Sequence, residues 1–231
     1  MEYQEIYRLH ANKYDRLVNA EDCDNQLLPA LQQLLPLEGL TVMEVGAGTG
    51  RISRLLMEQN VRLVGVDQSS AMLSVARDHL AAMPSNRSIL VQADGRDLPV
   101  GSGWADLAIA GWVFGHFRSW FPADWQKYIG HALHEMSRTV RPGGTQVIIE
   151  TLGTGNTIPA APNADLEEYY MWLQNVHGFF RQTLRTDYSF ANIEEAAEVT
   201  GFFFGEDFAA RVHRESWTRV PECTGLWWKR K

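Results

Sequence analysis

Cysteine is scarce in this chain: two residues in 231, Cys23 and Cys223, at opposite ends of the sequence. That count leaves no disulfide framework and no metal-ligand spacing, so no metal site is expected and a reducing cytoplasm is the simplest setting. Positive charge is also short, with 21 Lys and Arg against 28 Asp and Glu and a formal net charge of −7. Neutralising phosphates takes clustered Lys and Arg, so a nucleic-acid partner is not expected and Lys229-Arg230-Lys231 reads as a solvated tail. No apolar run approaches the ~20 residues of a membrane helix. The start, Met1-Glu2-Tyr3-Gln4-Glu5, lacks the basic and apolar regions of a signal peptide, so no membrane partner is expected either. Internal repeats and low-complexity segments are missing. What remains is a 45% hydrophobic chain, long enough for one large α/β domain with a sizeable core.

The most informative stretch is Val42-Met43-Glu44-Val45-Gly46-Ala47-Gly48-Thr49-Gly50, an apolar run carrying an acid and opening into three alternating glycines. It reads as a strand feeding a ligand-binding turn, because glycine serves where the backbone takes positive φ or a side chain would block a ligand. Dinucleotide enzymes place a third glycine one position later, where this chain has Arg51. Val61 to Val66 reads as a second strand ending at Asp67, an acid placed to accept ribose hydroxyls. Ser88 to Ala93 reads as a third strand before Asp94-Gly95, and Ala105 to Ala110 as a fourth, leaving through Gly111-Trp112-Val113-Phe114-Gly115-His116. Arg141-Pro142-Gly143-Gly144 then stops a helix and turns the chain into a fifth strand, Thr145 to Glu150.

The form E-x-G-x-G-x-G over Glu44 to Gly50, followed in order by Asp67, Asp94-Gly95 and Val140-Arg141-Pro142-Gly143-Gly144, resembles the class I S-adenosylmethionine (SAM) dependent methyltransferases of the small-molecule type. The resemblance covers Val42 to Glu150. It implies a Rossmann-like, seven-stranded, mostly parallel sheet with helices on both faces and a C-terminal antiparallel strand pair. It also implies SAM as cofactor, S-adenosylhomocysteine as product and a cofactor site made by Tyr14, Glu44, Gly46, Ala47, Gly48, Asp67, Gln68, Asp94, Gly95 and Trp112. In that scheme Glu44 orients the glycine turn through its amides and reaches toward the amino-acid portion. Asp67 takes the ribose and Asp94 the adenine amine; the plain alternative for Asp94 is a turn-forming Asp-Gly pair.

The chain divides into a helical N-terminal cap (1–37), a cofactor core (38–152), a lid or substrate insertion (153–190) and a C-terminal helix with strands (191–231). In the cap, Tyr3, Ile6, Tyr7, His10, Tyr14 and Leu17 follow helical steps, either as a packing helix or as a segment folded over the cofactor through Tyr14-Asp15. In the insertion, Leu166, Tyr169, Tyr170, Leu173, Val176, His177 and Phe180 fall on one helical face, giving a lid that is core, pocket wall or both. Asn192 to Phe202 reads as the late helix closed by Gly201, and Ala209 to Glu215 with Thr224 to Lys229 as the final antiparallel pair.

The sulfonium of SAM is already an activated electrophile, so transfer chiefly needs an acceptor held close, aligned and dry. A base is needed only where the nucleophile must lose a proton, and histidine suits that task. His116, just past the fourth strand, is the candidate for a base or acceptor-positioning group; its plain alternative is a histidine bonded to a local carbonyl. Tyr170 and His177 are further acceptor-binding candidates. The aromatic surroundings favour a small molecule with an apolar portion. Two other readings stay open on the residues alone: a nicotinamide-dependent oxidoreductase, which leaves Asp94-Gly95 without a role, and a noncatalytic SAM-binding regulatory module. Neither the acceptor atom nor the oligomeric state can be read from the sequence.

Overall fold

The computed structural model describes residues 3–83 and 87–231. Five strands follow one another through the first two thirds of the chain: β1 (Thr41–Val45), β2 (Arg62–Asp67), β3 (Ser88–Gln92), β4 (Ala105–Gly111) and β5 (Val140–Thr154). All pair in parallel, β1 lying between β2 and β4, with β3 and β5 outside them. The long final strand β9 (Glu222–Arg230) runs antiparallel to β5 on one side and to β6 (Phe180–Arg185) on the other, completing the order β3-β2-β1-β4-β5-β9-β6. This is the seven-stranded, mostly parallel sheet with an antiparallel addition that the motifs imply.

Strand β1 is buried at every position, which is why it reads as a continuous apolar run rather than an alternation. Its odd and even residues serve different layers. Met43 and Val45 meet Phe114, Phe117, Ile129, Leu133 and Met136 of α6 (Phe114–Trp120) and α7 (Trp125–Thr139). Val42, with Leu107 and Val147, meets Leu27 and Leu31 of α3 (Leu27–Leu34) and Ile52 and Leu56 of α4 (Arg51–Met57). The helix α5 (Ser70–Ala81) joins that second layer through Leu80.

Several expectations are corrected. The aromatic N-terminal stretch is two helices, α1 (Tyr3–Leu9) and α2 (Ala11–Ala20), broken at His10, whose ψ of 32° leaves the helical region. The segment Ala209 to Glu215 is helical: α10 (Glu206–Arg214) packs Val212, with Phe208 and Ala209 beside it, against α9 (Ile193–Phe204), a helical spacing that its mixed polar and apolar order conceals. The partner of the last strand is therefore β6, in the segment assigned to the lid. Gly201 does not close α9; it lies inside it, where an added Cβ would stand 2.8 Å from that of Ala209, so the glycine allows α9 and α10 to approach. Gly205, at φ +96°, makes the break. Arg141 to Gly144 forms a bulge within one long strand instead of a turn before it, since β4 pairs with Val140 and again with Thr145. In α8 (Ala164–Asn175), Tyr169, Tyr170 and Leu173 enter the core, but Val176 lies past the helix end and Phe180 opens β6, both largely exposed. Two short strands, β7 (Tyr188–Ser189) and β8 (Arg219–Val220), pair beneath a third cluster joining Leu17 of α2 to α9 and α10.

Candidate active site

Successive strands are added to one side of β1 up to β3 and to its other side from β4, and in open α/β sheets the crevice at the strand carboxyl ends beside such a switch takes ligands. A cavity of about 550 Å³ opens there, lined by the turn after β1, the tip of β2, the start of α5, the segment after β3 and Trp112 to Trp120. Gly46 and Gly48 line it with φ of +70° and +54°. They do so for different reasons. A Cβ on Gly46 would stand 2.2 Å from Val113 Cγ2, whereas one on Gly48 would have no heavy atom nearer than the Gly46 carbonyl oxygen at 4.0 Å. Protein fills the space at Gly46, and the space at Gly48 is left open.

Asp67 ties this turn to the next. Its Oδ2 accepts the Gly48 amide at 2.9 Å and its Oδ1 the Ser69 amide at 2.8 Å. Burial raises its pKa, and those amides pull it back toward the ordinary range. Gln68, Gly95 and Trp112 also line the cavity, as does Tyr14 from the cap. Trp112 adopts φ +54°, unusual for a bulky residue, and carries the Arg51 guanidinium 4.1 Å from its ring centroid. Ser69 Oγ donates to the Tyr7 carbonyl at 2.7 Å, fastening α1 over the cavity.

Three of the expected cofactor residues adjoin the cavity without lining it. Glu44 lies beneath the turn, 2% exposed, and its Oε2 accepts the Ser53 hydroxyl at 2.5 Å. It orients α4, and burial pushes its carboxyl up to about 8. Ala47 is buried, its amide donating to the Val66 carbonyl at 2.8 Å. Asp94 turns to Arg96, which grips it at 2.9 and 2.5 Å through the guanidinium, with the Arg96 amide on Oδ1 at 2.8 Å. The Arg96 contact holds Asp94 below the usual carboxylate range. Ala93 and Gly95, on either side of it, are the residues that face the cavity.

A second cavity of about 470 Å³ lies on the other side of Tyr7, Tyr14, Trp112 and His116, which line both. His116 Nε2 is 2.8 Å from the Tyr7 hydroxyl and its ring stacks on Trp120 at 5.3 Å. Burial pushes its pKa down to about 4, so the imidazole is neutral near pH 7. Tyr170 forms part of the far wall and donates to the Thr151 carbonyl at 2.8 Å. His177 reaches neither cavity: it packs on Trp172 at 4.1 Å, and its carbonyl accepts the Lys229 ammonium at 3.1 Å.

The chamber contains residues that the sequence reading passed over. Glu150 ends the apolar run of β5; its Oε1 accepts the Gly115 amide at 2.9 Å, and burial pushes its carboxyl up to about 8. Glu222 opens β9, 1% exposed; its Oε1 accepts the Thr151 hydroxyl at 2.6 Å, and burial reinforced by Glu21 pushes it to about 8. Arg51 pairs with Glu21 at 2.7 Å. Glu150 carried a usable signal, since an acid at the carboxyl end of a buried parallel strand repeats the pattern of Glu44. Glu222 and Glu21 carried none, being brought to the chamber only by the fold. Among the described residues no group of three or more His, Cys, Asp or Glu side chains could hold a metal ion.

Residues 43–148 match the family model described as a methyltransferase domain. The chain carries a methyltransferase domain over these residues, on a fold that SAM-dependent methyltransferases share. An uncharacterized methyltransferase of Mycobacterium tuberculosis is 30% identical over 115 residues, 50% of this chain and 41% of the relative. The malonyl-[acyl-carrier protein] O-methyltransferase of Pectobacterium atrosepticum is 28% identical over 146 residues, 63% of this chain and 51% of that protein. The chain thus spans about half or less of the length of these relatives. A SAM-dependent methyltransferase of Aquifex aeolicus shares the fold, with a TM-score of 0.58 at 14% identity over 95% of this chain and 98% of that one. The family match sets aside the nicotinamide reading and agrees with Arg51 standing where a dinucleotide motif would carry glycine.

Proposed function

We propose that this protein transfers a methyl group from SAM to a small-molecule acceptor, with SAM in the cavity beside Asp67 and the acceptor in the chamber beside Glu150 and Tyr170. The observation that carries the reading is the shared neck: Tyr7, Tyr14, Trp112 and His116 line both cavities, so two ligands can meet end to end there. The cavity volume suits a nucleoside-sized ligand, the open side of Gly48 leaves room for it, and Asp67 stands at the β2 tip with acceptor lone pairs to spare for ribose hydroxyls.

When bound, SAM supplies an activated methyl group on a sulfonium. The chain supplies alignment and dryness: four aromatic rings at the neck exclude water, and α1, held by Ser69, closes the cavity from above. His116 acts as an acceptor-positioning group, because a neutral imidazole with a pKa near 4 can accept a hydrogen bond but is a weak base at pH 7. Asp94 binds adenine only if Arg96 releases it, so the adenine is expected to rest on Ala93 and Gly95.

The cap and the segment 153–190 furnish much of the acceptor side, although the division at 152 cuts β5 and β6 of that segment returns to the main sheet. No helix among the described residues is long and apolar enough to cross a membrane. With the acidic balance, that favours a cytoplasmic protein acting on a metabolite-sized acceptor rather than nucleic acid. Calorimetric titration with SAM, S-adenosylhomocysteine and NADH tests the cofactor half, since micromolar binding of either sulfur nucleoside is expected and NADH binding alone would overturn the reading. A screen for methylated product distinguishes an enzyme from a regulatory binding module.

A further inference from the structure

The acceptor chamber buries more carboxyl groups than its own cations can pair. Glu21 is matched by Arg51 at 2.7 Å, and Arg51 is further engaged with the face of Trp112. Glu150 and Glu222 face the same space with no Lys or Arg among its lining residues left to balance them, and His116 there is neutral. Glu150 is 4% exposed and Glu222 1%. Burying a carboxylate without a partner is costly, and proteins tolerate it where a ligand completes the site.

A second observation points outward from the protein. Glu222 spends Oε1 on the Thr151 hydroxyl at 2.6 Å and has the Thr154 hydroxyl nearby, while its Oε2, buried, is met by no hydrogen bond of ordinary geometry. The walls of the same cavity are aromatic, with Tyr14, Tyr170, Tyr188 and Phe208 among them, and ring faces attract a cation. The carboxylates are not grouped as metal ligands. A buried acceptor atom without a donor, two buried carboxyls without a cationic partner and aromatic faces together describe a site for an organic ammonium.

We propose that the acceptor is a small primary or secondary amine, bound as its ammonium against Glu222 and Glu150, and that the protein is an N-methyltransferase. The inference rests on the methyl-transfer reading above and narrows its substrate class. Arg51 Nη2, also buried without a partner, is matched by an oxygen substituent on the same acceptor. A chamber carboxyl, protonated near pH 7 while the chamber is empty, gives its proton to water as the ammonium binds, and the ammonium then passes one proton to the carboxylate so formed. The freed nitrogen lone pair then attacks the methyl carbon, and the carbon–sulfur bond breaks with its electron pair staying on sulfur. S-adenosylhomocysteine and a methylated ammonium leave, and the carboxylate returns its proton to water.

The test uses the full chain. Protein saturated with S-adenosylhomocysteine is titrated with benzylamine and with benzyl alcohol at pH 7.5. Methyl transfer from tritiated SAM is followed in parallel across amines, amino acids, alcohols, phenols, carboxylic acids and thiols. Benzylamine is expected to bind at least tenfold more tightly than the alcohol, with labelled product in the amine arms. Glu222→Gln, which keeps the shape and the Thr151 contact, is expected to remove that preference while S-adenosylhomocysteine binds within twofold of the parent. Glu150→Gln is the second variant should the first fold poorly. Equal binding of the two probes, a preference surviving in both variants, or product confined to oxygen or sulfur acceptors overturns the proposal while leaving the methyl-transfer reading intact. Failure to bind either sulfur nucleoside overturns that reading itself, and the amine site with it.

Discussion

The two cavity-lining glycines of the first turn make a paired experiment, because alanine at each meets different surroundings. At Gly46 the added methyl would lie 2.2 Å from Val113 Cγ2, so Val113 and the start of α6 must shift. Overpacking of that kind costs roughly 1–3 kcal/mol, and holding alanine at φ +70° costs roughly 1–2 kcal/mol more. At Gly48 only the second cost applies, since nothing in the protein comes closer than 4.0 Å. For a chain of this size 1 kcal/mol moves Tm by about 2–4 °C, so Gly46→Ala should lower it by about 10 °C and Gly48→Ala by only a few degrees. Ligand binding should rank them differently. Gly48→Ala keeps the amide that Asp67 accepts, yet places its methyl in the space assigned to SAM, so its SAM affinity should fall at least tenfold although the fold is nearly intact. Scanning calorimetry and isothermal titration read the two effects separately. Equal Tm losses would refute the packing argument at Gly46, and parental SAM affinity in Gly48→Ala would show that the cofactor does not use that wall.

Glu44 should make stability depend on pH. Its folded pKa, about 8, lies above the ordinary 4.5, so between those values the unfolded chain releases a proton that the fold retains. Stability therefore falls as pH rises through this window, by up to ~1.4 kcal/mol per unit for one group; urea midpoints for Glu44→Gln from pH 5 to 8 should decline less steeply than the parent's, and an unchanged slope would reject the assignment. Asp67→Ala should weaken SAM by roughly 1–3 kcal/mol if two ribose hydrogen bonds are lost, and unaltered calorimetric affinity would remove Asp67 from the site. His116→Ala should slow turnover severely with SAM affinity nearly intact, and the parent's rate should show no inflection near pH 6.5 from this histidine, whose pKa lies near 4. Turnover equal to the parent's would exclude His116 from acceptor positioning.

The cofactor half of the molecule could be read from sequence because its determinants are local. Strands β1, β2 and β4 are short apolar runs largely buried in the sheet, and β3, though apolar, is a partly exposed edge; each ends within a residue or two of a glycine or acid. The second half resists such reading. In β6, Phe180 to Arg185 is an edge strand with several exposed side chains, so no buried run announces it. In Glu206 to Arg214 the charged residues equal the apolar ones in number, and Val212 alone is fully buried, which leaves the helical period almost unmarked. The chamber is harder still. Glu21, Glu150 and Glu222 come from a helix end, a parallel strand and an antiparallel strand, more than a hundred residues apart at the extremes, and their common environment exists only once β9 has inserted beside β5.

Arg51 ties the two halves together. In the sequence it matters as a missing glycine, the position that argues against a dinucleotide. In the fold it does positive work as the first residue of α4: it reaches Glu21 at the end of α2 and spreads over Trp112 at the end of β4. The ring it covers belongs to a residue held at φ +54°, and strain of that kind persists only where the surroundings over-determine it. Here the Trp112 amide bonds the Ile149 carbonyl at 2.6 Å from behind while the guanidinium holds the ring in front. A glycine at 51 would release both Glu21 and the Trp112 ring, opening the neck and adding a third unbalanced carboxylate to the chamber. The departure from the dinucleotide pattern and the construction of the second cavity's neck are thus one structural fact, seen first as a pattern and then as a contact.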